Sequence, residues 1–309
     1  MRSNKIFDIR RRTTNHELRT SIMTDSKLDI RPQTTNLKPR TTNIEYGSRI
    51  FFLFFWFIGG IILAFTLVPL LNLFLTQPLT AIASVAGMQD VRASILLSMT
   101  TAIITALLAA LLGTPLAYIL ARRSLRYQAV VEAIVDLPLA VPHTVAGIAL
   151  LFIFGRNGPI GKIAQHFGLS FWGTALGIII GMLFVSSPYM INAAREGFES
   201  VDIRLEKAAR TLGASPAQVF WQVSLPLAMR SILTGIVLTY ARSIAEFGAV
   251  IVLAYYPQTA PVKIYELFLS GGLKQAAAAA ALLLLITLST FVLFRYLAYK
   301  PRTVKGGRP

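Results

Sequence analysis

Six stretches of the chain are apolar for long enough to cross a bilayer as helices, which takes about 20 residues each: 50–75, 93–121, 129–154, 171–194, 231–254 and 276–294. Polar positions fall almost wholly between them, in connections too short to be separate domains. The pattern predicts an all-α membrane protein with six transmembrane helices over 49–298. Residues 1–48 are polar, basic and rich in Thr and Asn, with Thr-Thr-Asn starting at Thr13, Thr34 and Thr41. They hold no apolar run of signal-peptide length and are expected to form a disordered cytoplasmic tail able to touch anionic lipid, with Met23 an alternative start. A second basic tail is expected at 299–309.

Two spans carry features that a plain lipid-facing helix lacks. In the third, Pro138 and Pro142 remove backbone donors, so the helix is expected to break near mid-membrane and restart around Thr144. Unpaired backbone at that depth is tolerated only when buried in protein or facing water. A restarted half-helix capped by Thr144 would aim its amides at an anion; a proline kink that only fits helices together would leave the same trace. In the fifth span Arg242 and Glu246 stand four apart on one face, where pairing offsets most of their desolvation cost. Ionisable residues inside spans are candidates for function, and a neutral pair locking the helix into the bundle is the other reading. His143 reads as a hydrogen-bonded packing residue, because only His16 and His166 could join it and both lie in distant segments. No metal site is expected.

The segment 204–226 is the most charged part of the membrane domain. Ala208, Ala209 and Leu212 recur at helical spacing and form a small flat face flanked by Arg204, Glu206, Lys207 and Arg210. Gly213 is a helix stop, and Ser215-Pro216 restarts a helix with a capping hydroxyl and a proline at its first position. The prediction is a helix, a tight turn through Ala214 and a second helix ended by Pro226. Such a face suits close docking to a partner, although the helical pattern alone is also that of an ordinary capped amphipathic loop.

Composition agrees with a membrane protein, at 54% hydrophobic and 14% charged residues. The formal charge of +16 would suit nucleic acid, but its placement argues for topology instead. With the N-terminus inside, the cytoplasmic segments hold 24 of 30 Lys and Arg: 11 before the first span, 3 around Arg126, 5 from Arg195 to Arg230 and 5 from Arg295 onward. The outer connections hold Arg92, Arg156, Lys162, Lys263 and Lys274, and Arg242 lies within a span. This bias places both termini in the cytoplasm, with no nucleic acid as partner. Absence of cysteine excludes disulfides, iron–sulfur clusters and thiol catalysis. There is no Gly-x-x-x-x-Gly-Lys-Ser/Thr phosphate loop, so any ATP-derived energy must come from another chain. An intramembrane hydrolase using His143 with Asp136 or Glu246 would draw on Ser186, Ser187 or Ser243, none at a workable spacing to a base.

From Glu206 to Pro226 the order is Glu, an Ala pair, Gly213 four residues after that pair and Leu225-Pro226 twelve residues beyond the Gly. This resembles the cytoplasmic EAA motif of ABC importer permeases. It departs from the pattern at Lys207, often acidic, and at Val223, usually Ile, and its Glu206 is displaced by one position. Ala-Arg-Ser-Ile-Ala-Glu-Phe-Gly-Ala from Ala241 to Ala249 resembles the Arg-x-x-x-Glu-Phe-Gly-Ala signature of sulfate, molybdate and tungstate permeases. Asp136 to Gly147, with Pro-His-Thr-Val-Ala-Gly, looks most like archaeal molybdate/tungstate permeases, and weaker matches include Gly155 to Pro159. The resemblance runs from about 96 to 293.

It implies a MetI-like permease fold in the cell membrane, working as a homodimer with ABC ATPase subunits and an extracytoplasmic oxyanion-binding protein. The ATPase would couple at Glu206, Lys207, Ala208, Ala209, Gly213, Ala214, Ser215, Leu225 and Pro226. The path would run near Pro142, His143, Thr144, Arg242, Ser243, Glu246 and Gly248. The chain would bind no cofactor, with ATP and Mg²⁺ on the ATPase, and would not itself be an enzyme. Molybdate or tungstate is the expected cargo, with a sulfate importer and an ATP-independent anion channel as alternatives.

Overall fold

The computed structural model describes residues 42–123 and 126–298, all of whose regular elements are helices. The expected tails lie outside these residues except for 42–48, which open helix α1 (Thr42–Thr76). From Phe51 to Thr76 this helix is apolar on every side and long enough to span a membrane. Its Phe52, Trp56 and Phe65 are exposed, as suits a helix whose solvent is lipid.

The chain from Phe65 onward forms its own unit. After α2 (Leu79–Gly87), the long helices α3 (Gln89–Arg122), α7 (Ala175–Glu199) and α10 (Leu225–Ile244) pack on one another as its core. Helix α3 contributes a stripe of small buried residues, Ser98, Ala102, Thr105, Ala106, Ala109, Gly113 and Ala117, at spacings of three and four. Small residues let helix axes approach closely, which replaces the hydrophobic drive that lipid removes. Bulkier partners fill the gaps: Ile178, Met182, Met190 and Phe198 of α7, and Ile232, Tyr240 and Ile244 of α10.

Helix α4 (Gln128–Ala140) is pinned to α7 by two polar contacts one helical turn apart. Arg195 Nη1 lies 2.9 Å from Glu132 Oε1, and Asn192 Nδ2 donates to Asp136 Oδ1 at 2.8 Å. Between α4 and α5 (His143–Phe154) the axis turns by 111°. The prolines therefore break the third span, and far more sharply than a kink. Among the described residues five helices are long and apolar enough to cross a membrane, and they become six crossings only if this bent pair is one of them.

Two segments differ from the predicted spans. The fifth span breaks at 245–247, so 248–253 is a separate short helix, α11 (Gly248–Leu253), packed on α5. The segment 260–271, expected as an outer connection, is helical because Ala260, Ile264 and Leu267 recur at helical spacing and pack on α2 and α3. It forms the first part of α12 (Ala260–Ala298), which Gly272 interrupts in the left-handed region (φ 76°, ψ −177°). Lys263 ties this first part to α3 through Asp90 Oδ2 at 2.6 Å, beside Glu266 Oε2 at 3.0 Å. The sixth predicted span, 276–294, lies entirely in the second part.

Candidate functional site

Two places gather the residues singled out by the sequence. The first is the hairpin between α7 and α10. Asp202 opens α8 (Ile203–Thr211) by accepting the Arg204 amide at 2.9 Å. Gly213 then reverses the chain at φ 91°, a backbone that side-chain-bearing residues adopt only with strain. Ser215 starts α9 (Pro216–Val219) with a complete capping box: Gln218 N–H donates to Ser215 Oγ at 3.3 Å, and the Ser215 amide to Gln218 Oε1 at 2.7 Å. The helix–turn–helix reading and both of its punctuation residues hold.

The second helix does not end at Pro226. It runs from Pro216 to Ile244 through a π turn at Phe220–Ser224. In regular α-helix a proline ring strikes the carbonyl four residues back and leaves it without a donor. The π turn moves bonding to the fifth residue back, with the Leu225 amide on Phe220 O, and so makes room for Pro226.

Glu206 also differs from its expected role. Rather than facing a partner, its carboxylate is buried: Oε1 accepts from Arg122 Nε at 2.6 Å and from Ser224 Oγ at 2.8 Å. Arg122 Nη2 donates to the Val201 carbonyl at 3.0 Å. The last residue of α3 thus grips the start of the hairpin, α8 and the π turn together. Behind it, the Tyr118 ring packs edge-on against Phe198 and Phe220, with centroids at 5.2 and 4.9 Å. The outward face of the hairpin is free: Lys207, Ala208 and Ser215 are exposed, Ala209, Ala214 and Leu225 half-buried, and Leu212 is 88% exposed.

The second place is the break between α4 and α5. Helix α5 starts at His143, with Pro142 as its N-cap and no side-chain cap. Thr144 is therefore not the cap; it lies inside the first turn, exposed. Pro142 supplies the extended backbone (φ −55°, ψ 131°) from which the helix can start. Arg242, Glu246 and His143 meet here. Arg242 Nη2 is 2.9 Å from Glu246 Oε2 and 2.9 Å from His143 Nδ1, which itself lies 3.1 Å from the same Oε2. Arg242 and Glu246 pair as expected, although α10 has ended before Glu246 and the carboxylate also accepts the Ala249 amide at 2.9 Å, beginning α11.

Two of the other candidates at this break are covered. Ser243 is buried with its hydroxyl 2.8 Å from that of Ser186, locking α10 to α7. Gly248 is buried where α11 touches α5, and a β-carbon there would lie 2.7 Å from His143 Cβ. Only Pro142, His143, Thr144 and, partly, Arg242 of this set reach the surface of the chain. At the far end of α5, just before the short helix α6 (Pro159–His166), Arg156 lies over the Trp172 ring, 4.4 Å from its centroid.

A family of binding-protein-dependent transport system inner membrane components matches residues 113–305, which include both places. The chain is similar to the molybdate/tungstate transport system permease protein of Pyrococcus abyssi, 38% identical over 260 residues that take in 83% of this chain and 100% of that one. It is also similar to the molybdenum transport system permease protein of Haemophilus influenzae, 36% identical over 220 residues, 69% of this chain and 96% of that one. A solved bacterial ABC transporter involved in the import of the acidic polysaccharide alginate superposes with a TM-score of 0.66 over 83% of this chain and 98% of that one. At 17% identity this likeness speaks for the fold.

Proposed function

The chain belongs to the binding-protein-dependent transport system inner membrane components, multi-pass membrane subunits of ABC importers, and from that membership we propose that it forms the pore of an ATP-driven importer for a tetrahedral oxyanion. Molybdate or tungstate is the favoured cargo, because the relative from Pyrococcus abyssi, matched over its whole length, is named for that pair. Two copies would form the pathway by a C2 pairing, with both termini in the cytoplasm. An ATPase carrying ATP and Mg²⁺ would dock on each hairpin, and an extracytoplasmic binding protein would deliver the anion to the opposite face. Closure of the ATPase pair would then rock each half between inward-open and outward-open states.

One observation carries the coupling reading: Leu212 stands 88% exposed at the tip of a capped, conformationally fixed hairpin, beside exposed Ala208 and half-buried Ala209. An apolar side chain held out beside small residues, on a face flanked by Arg204, Lys207 and Arg210, leaves a surface on which a partner can pack closely. For the path, Arg242 offers a guanidinium whose charge Glu246 already balances. A neutralised cation suits passage, because an anion must be met and then released rather than held.

The test is purification of the tagged chain from its own host in mild detergent. An ATPase should co-purify in equimolar amount, and Leu212→Asp should release it while leaving the permease in the membrane. Oxyanion flux by the purified chain without nucleotide would instead establish a channel.

A further inference from the structure

The buried carboxylate of Glu206 has a use that docking alone does not explain. It sits on α8, whose other charged residues Arg204, Lys207 and Arg210 all face outward. A carboxylate taken out of water is stable only when paired and hydrogen-bonded, and both donors come from other elements: Arg122 closes α3, and Ser224 closes the π turn that leads into α10. Arg122 adds the Val201 carbonyl, in the short link between α7 and α8 where the hairpin could otherwise hinge. Beneath this polar knot the Tyr118, Phe198 and Phe220 rings tie α3, the end of α7 and the π turn together.

We propose that Arg122, Glu206 and Ser224 form an internal latch that carries displacement of the hairpin into α3 and α10. In this arrangement Glu206 is a positioning residue acting within the chain, and the ATPase meets the outward face around Leu212. With the latch closed, a push on the hairpin tip cannot be absorbed by bending at Val201 and must move the end of α3. Helix α3 packs along both α7 and α10, so the push reaches the helices that hold Arg242 and Ser186. With the latch open, the hairpin still docks, but its motion is lost in the link.

The inference rests on the permease reading above, and the test separates the two. The chain would be reconstituted in proteoliposomes with its ATPase and binding protein, and three quantities measured: ATPase retained, ATP hydrolysed and oxyanion transported per ATP. Glu206→Gln keeps the size of the side chain and an acceptor for Ser224 but removes the charge that Arg122 holds. ATPase retention and hydrolysis should stay near the unaltered level while transport per ATP falls roughly tenfold or more, within the usual range of coupling between sites. Ser224→Ala, which removes one hydroxyl and leaves the ion pair, should fold normally and show a smaller loss of the same kind. Exchanging the charges, Arg122→Glu with Glu206→Arg, should recover part of the ratio.

Unchanged transport per ATP in both Glu206→Gln and Ser224→Ala would overturn the latch. So would loss of the ATPase from Glu206→Gln, because Glu206 would then act on the partner. If the unaltered chain retains no ATPase, it is the permease reading that fails.

Discussion

Adding one methyl group at Gly248 should disturb the buried side of the candidate path. A β-carbon there would lie 2.7 Å from His143 Cβ and 3.2 Å from the Thr144 amide nitrogen. Non-bonded carbons settle at about 3.5–4.0 Å, so α11 and α5 must part by about 1 Å in Gly248→Ala. His143 Nδ1 is 2.9 Å from Arg242 Nη2, and a shift of that size carries the pair beyond hydrogen-bonding reach, about 3.5 Å. Overpacking of this kind costs roughly 1–3 kcal/mol. Alanine's helix preference over glycine returns at most about 1 kcal/mol, so the net effect should be a destabilisation of up to about 2 kcal/mol once that return is taken in full. The matched control is Gly87→Ala, where a β-carbon meets nothing within 4 Å. Melting would be followed in detergent by size-exclusion recovery after heating, alongside oxyanion uptake in cells. Gly248→Ala should melt lower and transport more slowly, while Gly87→Ala does neither. A Gly248→Ala protein that melts at or above the unaltered one would refute the α5–α11 geometry on which the triad depends.

Gly213→Val should strain the hairpin by about 1–2 kcal/mol through its left-handed backbone alone, because no atom lies within 4 Å of a β-carbon there; ATPase co-purification should drop while membrane insertion, read by fractionation, stays intact. Thr144→Val should leave stability unchanged within about 0.5 kcal/mol, since Thr144 caps nothing, and a larger loss would restore it as the cap. Because the chain contains no cysteine, single cysteines at Ser215 and at Gly158 or Ser170 can be probed in intact cells with an impermeant thiol reagent; only the latter two should react.

Features that depend on neighbours in sequence were legible, and those that depend on distant partners were not. Gly213 and the Ser215 cap are legible because a helix stop and an N-cap are set by adjacent residues, whereas the Gln218 half of the capping box emerges only in the structure. The broken third span could be read from Pro138 and Pro142, but its turn of 111° is set by packing of α5 on α11 and of α4 on α7. Thr144 is the expected cap because hydroxyls are favoured there, yet Pro142 already holds the required backbone and the helix starts two residues sooner than a Thr144 cap would allow. Pro226 read as a stop until the π turn made room for it.

The buried role of Glu206 depends on Arg122, 84 residues earlier, which in the sequence stands out only as one of the charges that set topology. Arg242 and Glu246, four apart, were paired correctly. His143, 99 residues from Arg242, joins them only through the fold. The resemblance puts Ser243 on the path, whereas one step around the helix from Arg242 turns it to Ser186 on α7.

The most direct measurement is uptake of labelled molybdate into proteoliposomes holding the chain with its ATPase, in the presence of the binding protein. Uptake should require hydrolysable ATP, cease when the ATPase is left out, and be competed by tungstate more strongly than by sulfate. Equal uptake with and without nucleotide would contradict the account.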